Sequence, residues 1–78
     1  MQTIYWYDGA GIDDSSSVLL RIDVPDGAPL YAGKNGMRWA GSDGWVPCDV
    51  IDRVWGKGDY QSLSEADAMH LIAIKDAV

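Results

Sequence analysis

Cys48 is the only thiol in the chain and His70 the only imidazole. With an aspartate to orient the ring, such a pair can run nucleophilic catalysis, the sulfur attacking while the imidazole moves the proton. Pro47 and the apolar spacing behind it predict a short helix whose first turn holds Cys48, a place where helix fields activate thiols. The plainer reading is that a free cysteine is a small buried hydrophobe and a lone histidine a packed or surface residue. Nothing in the spacing brings positions 48 and 70 together, so no catalytic residue is expected. A small enzyme or ligand-binding domain using Cys48 and His70 is the alternative.

The glycine motifs are weaker still. Gly9-Ala10-Gly11 follows a predicted strand, as a dinucleotide-binding loop does. That fingerprint also needs a third glycine opening a helix and an acidic residue about 20 positions on. Asp13, Asp14 and three serines follow instead, and 78 residues cannot hold the doubly wound fold. Gly56-Lys57-Gly58 reads as a helix stop and a turn, without the other glycine or the Ser/Thr of a phosphate-binding loop. One cysteine and one histidine fall short of a structural zinc site, and Asp13-Asp14 match no EF-hand spacing. Neither a metal nor a cofactor is expected.

Charge is more informative. Twelve acidic side chains face six basic ones, giving a net charge of -6. The bases stand singly, at Arg21, Lys34, Arg38, Arg53, Lys57 and Lys75. Binding a phosphate backbone takes clustered Lys and Arg, so direct nucleic-acid binding is not expected. An acidic surface bordered by aromatic residues suits the inverse task, docking on a larger basic protein, including one that handles nucleic acid. Eleven of the acids are aspartate and only Glu65 is glutamate. Aspartate caps helices and shapes turns, so part of the charge is a by-product of chain reversals. The aspartates left over for a partner are Asp8, Asp13, Asp14 and Asp43. Beside Asp43 stands Trp45, the expected exposed anchor among four tryptophans, whereas Trp55 is expected on the core face.

The elements that must position these residues are read from periodicity. Thr3 to Tyr7 is aromatic and β-branched, a strand. In Ser17 to Val24 the residues Val18, Leu20, Ile22 and Val24 alternate with Arg21 and Asp23, a second strand. Pro25-Asp26-Gly27 is a turn. Asn35-Gly36 predicts a tight hairpin between 30–33 and 37–40 that pairs Ala32 with Trp39, and Asp43-Gly44 predicts another before Trp45-Val46. Val50, Ile51, Val54 and Trp55 form the apolar side of the short helix, which Gly56 ends. Asp49 and Arg53 can pair on its outer side. Residues 60–63 read as extended. Ser64, with Asp67 three residues on, caps a final helix whose apolar face is Ala66, Met69, Ile72 and Ala73, widened by Leu71 and Ile74.

Together these elements describe one domain over residues 1–78. It is an α+β fold: an antiparallel sheet of four or five strands with a central meander, and a short helix and a C-terminal helix packed on one face. A single cysteine fits a reducing compartment. Met1 to Asp8 has no signal-peptide pattern, and no apolar run nears the ~20 residues that span a bilayer. A soluble cytoplasmic protein is expected, with no membrane partner. An exposed edge strand could pair with a second copy as a homodimer. In size and charge the chain looks like the small inhibitors that phages and mobile elements encode, such as anti-CRISPR and other anti-defence proteins. Immunity proteins and antitoxins share that profile. The likeness is one of profile alone and transfers no residue roles. It implies a non-enzymatic protein-interaction module that inhibits or regulates its partner.

Overall fold

The segment Val18–Val24 carries apolar residues at 18, 19, 20, 22 and 24, and Leu19 has no place in a strict alternation with one buried face. In the computed structural model, which describes residues 1–8, 11, 13–57 and 60–77 (the backbone alone at Lys57), that anomaly organises the fold. Gln2–Asp8 (β1), Val18–Val24 (β2), Lys34–Trp39 (β3), Trp45–Pro47 (β4) and Gln61–Leu63 (β5) form the sheet, with helices at Val50–Lys57 (α1) and Glu65–Asp76 (α2). The strand order is β4-β3-β2-β1-β5, and every neighbouring pair is antiparallel. The small antiparallel α+β class read from the sequence is the observed one.

β2 lies at the centre and is buried on both sides. Leu20, Ile22 and Val24 meet Val50 and Val54 of α1, together with Tyr60. Leu19, on the opposite side, meets Tyr5 of β1 and Ala68 and Leu71 of α2. The helices therefore take opposite faces, which corrects the expectation that both cover one. The physical reason is the Leu19-Leu20 doublet, since successive strand side chains point to opposite faces. Each fully buried leucine contributes about 1.5–3 kcal/mol of transfer free energy, too much to leave either face open to water.

The central turn also differs. Asn35-Gly36 is not a hairpin loop but lies inside β3, where the register slips: Arg21 pairs with Met37, whereas Asp23 pairs with Lys34. The extra residue is a β-bulge, and Asn35 supplies its left-handed backbone at φ 59°. Gly36 is required by close approach. A Cβ there would lie 2.7 Å from the Cys48 carbonyl oxygen, while the Cys48 N–H donates to the Gly36 carbonyl at 2.9 Å. The chain instead leaves β2 through the expected Pro25 turn and a short 3-10 turn at Leu30–Ala32. Trp39 consequently pairs with Trp45, not Ala32. The hairpin expected at Asp43-Gly44 forms, but through a 3-10 turn at Gly41–Asp43 rather than a tight two-residue turn, with Gly44 at φ 67°.

Both helices are placed by their caps. Pro47 ends β4 rather than opening α1, so Cys48 precedes the helix. The Asp49 carboxylate caps α1 instead, accepting from the Asp52 N–H at 3.3 Å, and Gly56 lies within the last turn. Ser64 caps α2 as expected, accepting from the Asp67 N–H at 3.1 Å. The α2 face is centred differently from the expected one: Leu71, expected at its edge, is buried with Ala68, whereas Ala66, Met69 and Ala73 are exposed. This helix is apolar on several sides, so spacing alone offers rival stripes. The stripe that wins sets a small residue against the sheet, with Leu71 filling the space beside it.

Leu19→Ala and Leu20→Ala should each destabilise the protein by about 2–5 kcal/mol in denaturant unfolding. A sheet covered on one face would lose that much at only one of the two positions.

Candidate functional site

The aspartates singled out by composition gather at one end of the sheet. Asp8 pairs across to Val18 at the end of β1. Residues 13–17 lead into β2 at that end, and the β3–β4 loop that carries Asp43 lies there too. Two of these four carboxylates are engaged in holding the chain. Asp13 Oδ1 lies 2.7 Å from His70 Nε2. Asp14 accepts from the Ser16 hydroxyl at 2.7 Å and the Ser16 N–H at 2.9 Å. Those two hydrogen bonds hold its carboxyl below the ordinary range. Lys75 donates to the Ser15 carbonyl at 2.9 Å, and its own pKa is lowered by burial against an opposing pull from Asp14. His70 and Lys75 of α2 thus tie down the acidic loop. Asp43 is exposed and Asp8 is half-buried.

Trp45 is not the exposed anchor. It packs on Trp39 at 5.4 Å between ring centroids and on Tyr5 at 6.2 Å, with the Arg21 guanidinium 5.2 Å over its ring. Its pairing with Trp39 on the α2 side draws it into the second core cluster, which corrects the sequence expectation. Trp55 is corrected in the opposite direction. It is 60% exposed, and its ring sits edge-on to Tyr31, itself 64% exposed, at 6.2 Å. In α1 the Val50/Val54 stripe faces the sheet, and the next residue, turned by about 100°, faces away. Tyr31 was expected in a strand, but the 3-10 turn at Leu30–Ala32 carries it outward. Exposed Asp52 lies one turn before Trp55 on the same side of α1. The outward pair was missed because Val50/Val54 and Ile51/Trp55 are neighbouring stripes of equal spacing.

Cys48 and His70 are not brought together. Cys48 packs against the α1-side core, and His70 is on α2, across the sheet. Asp49 and Arg53 form no ion pair, since Asp49 is turned to its capping bond. Among the described residues, no group of three His, Cys, Asp or Glu side chains is placed to hold a metal ion. No described helix is long and apolar enough to cross a membrane. Gly9 and Ala10, of the glycine motif, and Gly58 fall outside the described residues. No protein-family model, curated protein or solved structure matches the chain.

The lowered carboxylates make acid sensitivity a test of this arrangement. Asp23, which accepts from the Thr3 hydroxyl at 2.7 Å, is lowered chiefly by that bond. A group with a lower pKa folded than unfolded adds stability above its unfolded value, about 3.9 for aspartate. That stability is lost as pH falls through the folded value. Melting temperature should therefore drop as pH is lowered from about 5 toward 2, and the drop should be shallower in Asp14→Asn and Asp23→Asn. Parallel curves for wild type and both variants would mean the bonds do not form.

Proposed function

We propose that this chain is a small acidic, non-enzymatic protein-interaction module. It binds a larger basic protein and, by covering that protein's basic surface, inhibits or regulates it. The observation that carries this reading is the Tyr31–Trp55 pair, two large aromatic side chains held edge to face and mostly exposed on a chain of net charge -6. Tyr and Trp bury a large apolar area at small cost in side-chain entropy and are enriched at interface hot spots. The aromatic pair is the anchor, and Asp52 provides a neighbouring charge. Asp43 and Asp13, at the sheet end, add to the field that steers a basic partner and suppresses acidic ones. The profile of a short acidic chain is also that of phage- and mobile-element-encoded inhibitors, anti-CRISPR proteins among them. This is the ground for reading the binding as inhibitory and its place as the cytoplasm.

The test is capture from the native host with three baits: wild type, Trp55→Ala/Tyr31→Ala, and Cys48→Ser/His70→Ala. Each is first checked for a wild-type melting curve. A protein with a basic surface should be held by the first and third baits, more weakly as salt rises. The aromatic variant should bind it at least about 30-fold less tightly, the loss of a hot spot of about 2 kcal/mol. Equal retention by the aromatic variant overturns the reading. Loss of binding only in the Cys48/His70 variant would turn it toward the small-enzyme alternative.

A further inference from the structure

β5 is only three residues long and pairs with Tyr5, Trp6 and Tyr7 of β1. At Ser64 the chain turns away into α2. Gln2, Thr3 and Ile4 are therefore left with β2 on one side and, among the described residues, no strand on the other. Where β5 would have continued there is a groove of about 470 Å³, lined by residues 2–6 and 62–65. That volume falls within the range of small ligand clefts, about 300–1,000 Å³. An open strand edge offers main-chain donors and acceptors in register, the template for adding a strand.

We infer that this groove binds an extended, lysine- or arginine-bearing segment of another protein, which adds to the sheet along Gln2–Ile4 and continues the line of β5. The side chains of the edge set the pattern of that segment. Ile4 and Trp6 lie on the α1 face of the sheet, and Thr3 and Tyr5 on the α2 face. Residues opposite each other share a face. The segment residue across from Ile4 is therefore apolar, packing on Ile4 and Trp6. Its neighbour, across from Thr3, points to the side from which α2 and Glu65 rise. Among the described residues Glu65 is the one charged side chain lining the groove, so the matching residue there is a cation. The chain's charge of -6 acts in the same direction and disfavours a second copy, which would bring an equal negative charge to a three-residue edge. This surface is separate from the Tyr31–Trp55 pair, and the inference does not rest on that reading.

The probe is an acetylated hexapeptide of alternating valine and lysine, titrated into the isotope-labelled full chain and followed by amide chemical shifts. Shifts should concentrate at residues 2–6 and 62–65 and saturate by about 1 mM peptide. Glutamate in place of lysine should abolish them, and methylation of alternate peptide amides should weaken binding at least about tenfold by removing main-chain bonds. Glu65→Lys should weaken it about fivefold while Ser64 still caps α2. Trp55→Ala/Tyr31→Ala should leave the titration unchanged, so this proposal and the aromatic-pair reading fail separately. The inference is overturned by absent shifts, by shifts confined to other surfaces, or by equal binding of the glutamate peptide. Concentration-dependent shifts of the same residues without peptide would also overturn it, because a second copy would then occupy the edge.

Discussion

Leu19 and Leu20 are consecutive residues of one strand, and both are fully shielded from water. Neighbouring strand residues point to opposite faces, so this doublet commits the sheet to burial on both sides. The described residues form two α-helices with which to do it, and each takes one face. α1 covers Leu20 and Ile22 through Val50 and Val54, and α2 covers Leu19 through Ala68 and Leu71. In a domain this small, with little apolar surface to spare, sharing the core between two faces leaves each one thin. Large side chains at its margins are then only partly covered.

The outer surfaces follow from that division. α1 is short, and once Val50 and Val54 are turned to the sheet, Trp55 has nowhere to go but outward, where Tyr31 meets it. α2 reaches back to the loop after β1, so His70 and Lys75 tie that loop down and employ part of its negative charge locally. Trp45 is drawn inward on the α2 side by Trp39, Tyr5 and Arg21. Because α2 starts at once after a three-residue β5, half of β1 keeps an open edge. The aromatic pair, the residual acidic end and the open edge are thus three outcomes of one packing constraint.

What could be read from the sequence was what neighbouring residues decide. The alternation in β2, the hairpin at Asp43-Gly44 and the Ser64 cap are local, and each is present. What distant contacts decide was not legible. Asn35-Gly36 suits a type I′ turn and a bulge equally, and the choice is made by the approach of Cys48 to Gly36. Val50/Val54 and Ile51/Trp55 are neighbouring stripes: the sheet buries the first, Ile51 stays half-buried at the margin of the core, and Trp55 is turned outward. The same ambiguity shifted the centre of the α2 face. Leu19 was the one available sign of a second buried face. That sign is masked because the even-numbered residues alone already make a satisfactory strand with one buried face. The candidate site inherited these errors: its aspartates were placed correctly at turns and a strand end, whereas Trp45 and Trp55 exchanged roles.

The rest of the fold depends on the two leucines facing different helices. The direct measurement is a set of methyl–methyl nuclear Overhauser effects in the full chain. Leu19 methyls should show contacts to Leu71, and Leu20 methyls to Val50 and Val54, with no leucine of the doublet seeing both helices. Contacts from both leucines to the same helix would contradict the two-faced sheet and, with it, the outward placement of Trp55.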